Sequence, residues 1–220
     1  MKTKLTLALA VIVTLASCDK TLDLCELDSG PTQSFVLDMD QFDRISLLGP
    51  IDLEITQGPN QDISVETTAE IFDHMEYEVK NEHFEIGFKN NVRCFADAAI
   101  TVKIEVPDIE SIYASGVSNI VSTNELDLGS LRLDASGSIT SNLTGRVANQ
   151  ELVGSGTLEV QHFDLTTDNT SIKISGTGEL EINCQEKLDI DVSGAATIKY
   201  IGEPTITQEV SGTINLISQD

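Results

Sequence analysis

The sequence reads Leu152-Val-Gly-Ser-Gly-Thr-Leu158 and, twenty residues further on, Ile172-Lys-Ile-Ser-Gly-Thr-Gly178. A Ser-Gly pair recurs in this setting six times, and successive pairs are 21, 19, 20, 18 and 18 residues apart. The glycines of these pairs are Gly116, Gly137, Gly156, Gly176, Gly194 and Gly212. Self-similarity at such a short period is typical of a repeat architecture, in which stacked units bury one another's apolar faces.

Two columns of apolar residues precede the repeated glycine. The position four residues before it holds Ile112, Leu133, Leu152, Ile172, Ile190 and Gln208. The position two residues before it holds Ala114, Ala135, Gly154, Ile174, Val192 and Val210. The position between these columns is mostly polar, which predicts a strand with one face inside and the other in solvent. After the glycine, apolar residues resume at the second position in three units and at the fourth in the others, which predicts two bend lengths.

A strand, a small-residue corner and a second strand within 18 to 21 residues are too short for a helical repeat or a propeller blade. The pattern predicts an all-β protein, a parallel β-solenoid (β-helix) of about six Ser-Gly rungs that stack at ~4.8 Å. Glycine suits the corners because it tolerates tight bends and positive φ. The Gly-Gly-x-Gly-x-Asp nonapeptide of calcium-loaded β-rolls is absent, so we expect rungs without calcium and a protein without a cofactor.

Residues 35–107 are expected to supply a first rung and a cap. Ile45-Ser-Leu47 and Ile51-Asp-Leu-Glu-Ile55 resemble one rung of the later repeat, with Gly49 at its corner. The pattern then predicts a strand at 63–65, one helical turn within 69–75, a hairpin of 77–79 with 84–88, and a strand at 100–106. Such strands would cover an end of the solenoid that otherwise exposes unpaired backbone.

The first 17 residues are predicted to be a secretory signal peptide. Lys2 and Lys4 precede the apolar stretch Leu5–Leu15, and Leu15-Ala-Ser-Cys18 has the form of a bacterial lipobox. An ordinary signal peptide that ends near a cysteine is the alternative. In the lipobox interpretation Cys18 is acylated, residues 18–34 are the lipid anchor and tether, and residues 35–218 are the folded domain, with its repeat rungs at 108–218.

Acidic residues outnumber basic ones by 36 to 13, so the formal net charge is −23. A chain of this charge has no basic face to neutralise phosphates, and nucleic acid is excluded as a main partner. Leu5–Leu15 has eleven residues, well short of the ~20 that a membrane-spanning helix needs. The expected location is the cell envelope, with the chain anchored by the lipid on Cys18. The outer membrane is the expected membrane, with the domain in the periplasm or on the surface, and the inner membrane stays open as an alternative.

Three further cysteines, Cys25, Cys94 and Cys184, allow at most one disulfide. Cys184 follows Ile182 on one apolar face and is expected in the core. A bridge between Cys25 and Cys94 therefore stays open as an alternative to two free thiols.

No metal site is predicted. His74, His83 and His162 stand apart in the sequence, and no Cys/His cluster has the spacing of a zinc site. Asp38-Met-Asp-Gln-Phe-Asp43 lacks the ligand spacing and the glycine of an EF-hand loop, and we interpret it as a solvated acidic strand edge.

These features together resemble the bacterial family of putative auto-transporter adhesins with a head GIN domain. The resemblance covers roughly residues 35–218 and rests on Phe42-Asp-Arg-Ile45, Ile51–Gly58, Val106-Pro-Asp-Ile109 and the Ser-Gly rungs. The triplet that names the family occurs only as Gly212-Thr-Ile-Asn215, with Thr213 inserted. Members are typically lipid-anchored or secreted, and the resemblance implies no catalytic residue.

Two functions are compatible with such a solenoid. The first is a non-catalytic binding or structural module of the cell envelope, an adhesin being one form, with an unknown protein or glycan as ligand and with a homo-oligomer left open. The second is a carbohydrate-active enzyme, a polysaccharide lyase or hydrolase on a β-helix. An enzyme is disfavoured because basic residues are sparse in the repeat, no Trp is present to stack on sugars, and the net charge repels acidic polymers.

Asp134, Lys173 and Asp191 are the residues that an enzyme would use, if carboxylates converged across rungs. Lys173 and Asp191 fall in one outward column on adjacent rungs, where a surface ion pair is the simpler expectation. We therefore predict no catalytic residue.

Overall fold

The computed structural model describes residues 30–89 and 99–219. The predicted signal peptide, Cys18, most of the tether, Cys25 and Cys94 lie outside the described residues. Within the described part, no helix has the length and apolar character needed to cross a membrane.

In residues 30–89 and 99–107, the N-terminal half of the domain is built from seven strands and a single helical turn. Its elements are β1 (Gln33–Leu37), β2 (Arg44–Leu47), β3 (Asp52–Gln57), β4 (Asp62–Thr67), α1 (Ala69–Phe72), β5 (Met75–Lys80), β6 (His83–Phe88) and β7 (Thr101–Val106). The predicted strands, hairpin and helical turn are all present.

The repeat region contains ten further strands. They are β8 (Ser111–Ala114), β9 (Val117–Ser122), β10 (Leu126–Ala135), β11 (Ser138–Asn142), β12 (Gly145–Gly154), β13 (Thr157–Ile174), β14 (Thr177–Val192), β15 (Ala195–Ile201), β16 (Thr205–Val210) and β17 (Thr213–Ser218). The long strands bend, so that one strand contributes to more than one side of the coil.

The strands of the repeat stack in parallel and in register, which confirms the predicted parallel β-solenoid. The coil has about five turns, against the six rungs expected from the Ser-Gly pairs. Leu133 lies opposite Leu152, and Leu152 lies opposite Ile172 on the next coil. Like residues therefore stack on like, and the inward side chains form one continuous core. The first five members of both apolar columns are buried, each large one contributing roughly 1.5–3 kcal/mol, whereas Gln208 and Val210 on the last coil are exposed.

The repeated glycine is required by the closeness of neighbouring coils. A Cβ on Gly137 would lie 1.8 Å from the carbonyl oxygen of Gly116, and the other five Ser-Gly glycines have the same contact at 1.9 to 2.0 Å. The positive φ values belong to other glycines, namely Gly49, Gly145 and Gly202. A side chain is thus excluded by the backbone of the previous coil and not by a left-handed conformation.

The prediction of two bend lengths is wrong. The strand after every Ser-Gly corner keeps one register, since Ile139 pairs with Ser118 on one side and with Leu158 on the other. In the units without a large apolar residue two positions after the corner glycine, a small residue occupies the same inward position. These residues are Ser118, Gly178 and Ala196, all buried. The apolar pattern missed them because they are enclosed without being large or hydrophobic.

The N-terminal half forms a first rung and a cap, as predicted. β2 and β3 pair in parallel with β8 and β9, and a Cβ on Gly116 would lie 1.9 Å from the oxygen of Gly49, which makes Gly49 the corner of this rung. β6 and β7 then stack on the opposite side of β2 and β3, so the order of coils along the axis differs from their order in the chain. Antiparallel strands β5, β4 and β1 close this end.

Candidate binding groove

A groove of about 730 Å³ crosses several coils on the outside of the repeat. Two columns of side chains line it. The first holds Ser130, Asn149, Asn169 and Lys187, and the second holds Ser111, Arg132, Glu151, Ser171 and Asp189. Glu110, Leu131, Gln150 and Thr170 complete the lining.

The side chains of each column are aligned because the strands pair in parallel and in register. Asn149 lies opposite Asn169, and Asn169 lies opposite Lys187, on successive coils of β12, β13 and β14. Asn169 Nδ2 donates a hydrogen bond to Asn149 Oδ1 at 3.1 Å, and Asn149 Nδ2 donates to the carbonyl oxygen of Gly129 at 3.3 Å. The amides thus form a ladder whose donors and acceptors repeat along the groove every ~4.8 Å.

Charged side chains beside the ladder are held in pairs. Glu151 binds both Lys173, at 2.7 Å, and Arg132, at 2.5 Å, and Arg132 also binds Asp134 at 2.7 Å. Hydrogen bonds from Lys173 and then from Arg132 hold the pKa of Glu151 below its ordinary value. Lys187 pairs with Asp189 further along the groove. The wall therefore carries both signs of charge, and each exposed pair contributes only ~0.2–1 kcal/mol.

The prediction that Lys173 and Asp191 share an outward column is correct, but the predicted ion pair between them is wrong. The two residues lie opposite each other on adjacent coils, but the Lys173 ammonium binds Glu151 on the preceding coil. Glu151 is two residues before Val153, the residue directly opposite Lys173 on that coil. A lysine is long enough to reach a diagonal neighbour, and Glu151 offers a carboxylate that Arg132 already orients.

The residues that an enzyme would need do not converge. Asp134 and Asp191 stand in one outward column but are separated by three coil steps, through Val153 and Lys173. At ~4.8 Å a step this is roughly 14 Å, beyond the ~5–9.5 Å between paired carboxylates of glycosidases. Asp134 is also occupied by Arg132.

A Ser-His-Gln cluster that sequence reasoning missed lies inside the coil. Ser141 Oγ is 3.0 Å from His162 Nε2, and Gln150 Nε2 is 2.9 Å from His162 Nδ1. The types and order resemble a nucleophile, a base and an orienting amide. However, all three side chains are buried, and burial lowers the pKa of His162 to about 3. The inward alternation Leu158, Val160, His162 was the available sequence signal for this burial.

The other two histidines have separate local partners. His83 Nε2 is 2.7 Å from Ser46 Oγ in the cap, and His74 Nδ1 is 2.8 Å from the carbonyl oxygen of Glu70. Among residues 30–89 and 99–219, no group of three or more His, Cys, Asp or Glu side chains could hold a metal ion. Cys184 is buried with its thiol free, as expected of a core residue.

The acidic stretch 38–43 is held through its backbone. Gln61 Nε2 donates to the carbonyl oxygen of Asp40 at 2.9 Å, and Gln61 Oε1 accepts from the amide of Phe42 at 3.1 Å. The ring of Phe42 is buried and stacks on Phe84 at 5.1 Å. This segment is therefore part of the cap.

A parallel β-solenoid with one capped end and a polar groove along its side is the class of protein that these features define. The family model described as "Putative auto-transporter adhesin, head GIN domain" matches residues 41–204, and the chain belongs to this family. No curated protein matches significantly.

Several solved structures share the fold. A "putative adhesin" from Bacteroides fragilis superposes with a TM-score of 0.68 at 19% identity, over 86% of this chain and 98% of that one. A "putative lipid binding protein" from Parabacteroides distasonis gives 0.55 at 18% identity, over 87% and 98%. A "putative adhesin" from Parabacteroides merdae gives 0.51 at 16% identity, over 87% and 97%. At these identities the likeness concerns the fold.

Proposed function

We propose that this chain is a lipid-anchored, non-catalytic binding module of the cell envelope, and that its groove binds an extended, hydroxyl-rich ligand such as a glycan. The observation that carries the proposal is the in-register ladder of Asn149 and Asn169 beside the paired charges of Arg132, Glu151 and Asp189. Membership of an adhesin-named family supports a binding role.

The chemistry of the lining favours hydroxyl groups. Amide side chains donate to and accept from vicinal hydroxyls, and carboxylates accept from them. The groove offers amides on the two successive coils of Asn149 and Asn169, with the carboxylates of Glu151 and Asp189 beside them. Among the residues that the structure describes, no aromatic side chain lines the groove, so the affinity would come from several hydrogen bonds and not from stacking on sugar rings. The open groove therefore suits a polymer better than a single small molecule.

The N-terminal segment is proposed to anchor the domain. The described structure begins at Gly30, so the chain between Cys18 and Gly30 would be a short tether from an acylated cysteine. The tether reaches the domain at its capped end, where Gly30 lies against Thr68, the N-cap residue of α1. The groove on the side of the coil would stay accessible to ligand.

A glycan array probed with the Cys18→Ala chain, followed by calorimetry on the best ligands, tests the proposal. The double variant Asn149→Ala/Asn169→Ala should weaken binding about tenfold or more, since each lost hydrogen bond is worth roughly 0.5–1.5 kcal/mol. Asn142→Ala, an exposed asparagine of β11 outside the groove, is the matched control. Equal affinity of both variants for every ligand found would refute the groove as the binding site.

A further inference from the structure

Glu151 occupies the middle of one column of the groove lining. It lies opposite Arg132 on the preceding coil and opposite Ser171 on the following coil. Asn149, two residues earlier on the same strand, belongs to the other column. A ligand in the groove would therefore meet Glu151 together with hydroxyl and amide groups on both sides.

Two cations hold the Glu151 carboxylate. Lys173 Nζ lies 2.7 Å from Glu151 Oε1, and Arg132 Nη1 lies 2.5 Å from Glu151 Oε2. Asp134 binds the same guanidinium at 2.7 Å, so the cluster contains two cations and two carboxylates and carries no net charge. The Glu151 side chain is still 31% exposed, and it lines the groove.

Each oxygen of Glu151 keeps the capacity for a further hydrogen bond. An ionised carboxylate has about four acceptor positions, and the two cations occupy one on each oxygen. One acceptor position therefore remains on each of two oxygens that lie side by side. Two adjacent hydroxyl groups of a sugar ring supply two O–H donors that fit such a pair of acceptors.

The ion pairs also prepare Glu151 for binding. A freely rotating glutamate would lose conformational freedom when a ligand ordered it, whereas the paired side chain is already held. Hydrogen bonds from Lys173 and then from Arg132 keep the pKa of Glu151 below its ordinary value, so the carboxylate stays ionised. Hydrogen bonds to an ionised acceptor are roughly twice as strong as those between neutral groups.

The same cluster disfavours charged ligands. A cationic group on the ligand would be repelled by Arg132 and Lys173, and an anionic group would be repelled by Glu151. The other cation of the groove lining, Lys187, is paired with Asp189. Among the described residues that line the groove, no cation is left to bind the carboxylate of an acidic sugar.

We propose that the groove is specific for uncharged glycans, and that Glu151 determines this specificity by accepting hydrogen bonds from two adjacent hydroxyl groups of one sugar ring. Arg132 and Lys173 are the positioning residues, because they hold the carboxylate that contacts the sugar. This inference rests on the proposed function, since it names the class of glycan that the same groove binds.

A glycan array that carries uncharged, uronic acid and amino-sugar glycans, probed with the Cys18→Ala chain, tests the class of ligand. We expect the bound glycans to be uncharged. Calorimetry should show at least tenfold weaker binding when the adjacent hydroxyls of the bound ring are methylated. Equal binding of charged glycans, or binding confined to them, would overturn this inference and leave the proposed function standing. Binding of no glycan would overturn both.

Glu151→Gln, made in the same chain, tests the residue. The amide keeps the size of the side chain but removes its charge, so uncharged glycans should bind at least tenfold more weakly. Lys173 then lacks its carboxylate, so the variant should gain affinity for uronic acid glycans, a result that misfolding could not produce. Glu159→Gln is the matched control, because Glu159 accepts from Gln161 outside the groove.

Lys173→Met tests the positioning role, because Lys173 holds Glu151 without itself lining the large groove. Uncharged glycans should bind roughly two- to tenfold more weakly to this variant, and Lys173→Arg should restore the affinity. Unchanged affinity of Glu151→Gln for uncharged glycans, while Asn149→Ala/Asn169→Ala binds more weakly, would overturn this inference alone. Unchanged affinity of Lys173→Met would overturn the positioning role.

Discussion

Ser141 Oγ and His162 Nε2 lie 3.0 Å apart inside the coil, with both side chains fully buried. The contact joins β11 to β13, the next coil of the same side, and Gln150 of β12 holds the other ring nitrogen. An arrangement that would activate a nucleophile at a surface is here a packed core contact, since Ser141 and His162 are both fully buried.

Burial of His162 predicts a loss of stability in acid. Its pKa is lowered to about 3 in the folded chain from 6.5, so between these values the unfolded chain binds more protons than the folded one. The stabilisation is complete above pH 6.5 and decreases as the pH falls towards 3. At pH 4.5 the loss should be about 2–3 kcal/mol relative to pH 7.

Urea unfolding of the wild type and of His162→Gln at both pH values isolates this contribution. The variant should lack that part of the pH dependence, while the carboxylates affect both proteins alike. An identical difference between the two pH values in both proteins would show that His162 is not buried in its neutral form.

The space around each glycine predicts a large loss of stability for one Gly→Ala change and little effect for another. Gly156→Ala places a Cβ 2.0 Å from the carbonyl oxygen of Gly137, and only a shift of the backbone could relieve this clash. We expect a cost of about 3 kcal/mol or more, or failure to fold. Gly129→Ala, whose Cβ meets no atom within 4 Å, should change the melting temperature little. Similar melting temperatures for both variants would argue against the stacking of the corners.

Inward and outward positions of β10 and β12 should differ in how much stability is lost when a charge is introduced. Leu133→Asp puts an unpaired carboxylate at a core position that is 1% exposed and should unfold coils on both sides. Val153→Asp, on the half-buried outward face next to Lys173, should cost less than about 1 kcal/mol. Thermal melts compare the two, and an equal response would mean that the register is wrong.

Replacing Cys18 by Ala should release the protein from membranes, because the lipid is the proposed anchor and Leu5–Leu15 is too short to span a bilayer. A carbonate wash of membranes from cells that produce each form measures the retained fraction. Retention of the Cys18→Ala form would contradict lipid anchoring.

A panel of acidic and neutral polysaccharides, assayed for reducing ends and for unsaturated uronate absorbance, should show no turnover. The roughly 14 Å between Asp134 and Asp191 is the physical reason. Turnover that disappears in Asp134→Ala, Lys173→Ala or Asp191→Ala chains would favour the enzyme over the binding module.

The local alternation of the sequence was sufficient to predict the strands, the inward columns and the corner at Gly49. Inward and outward residues alternate along each strand, so the pattern predicts that Leu152 faces the core and Val153 faces solvent. The same alternation recurs in every rung, which makes the prediction consistent across the repeat. The groove was harder to foresee because Ser130, Asn149 and Asn169 are ordinary polar residues, and only their alignment on successive coils makes them a ladder.

Composition and local alternation were therefore enough to establish the charge of the chain, the solenoid and the inward faces of its strands, because these properties do not depend on which distant residues meet. The contacts between coils became known from the folded chain alone. Lys173 binds Glu151, His162 binds Ser141, and β6 stacks on the far side of β2, because each coil brings residues about twenty or more positions apart into direct contact. Among several neighbours at ~4.8 Å, the choice depends on side-chain reach and on the space that glycine leaves between coils.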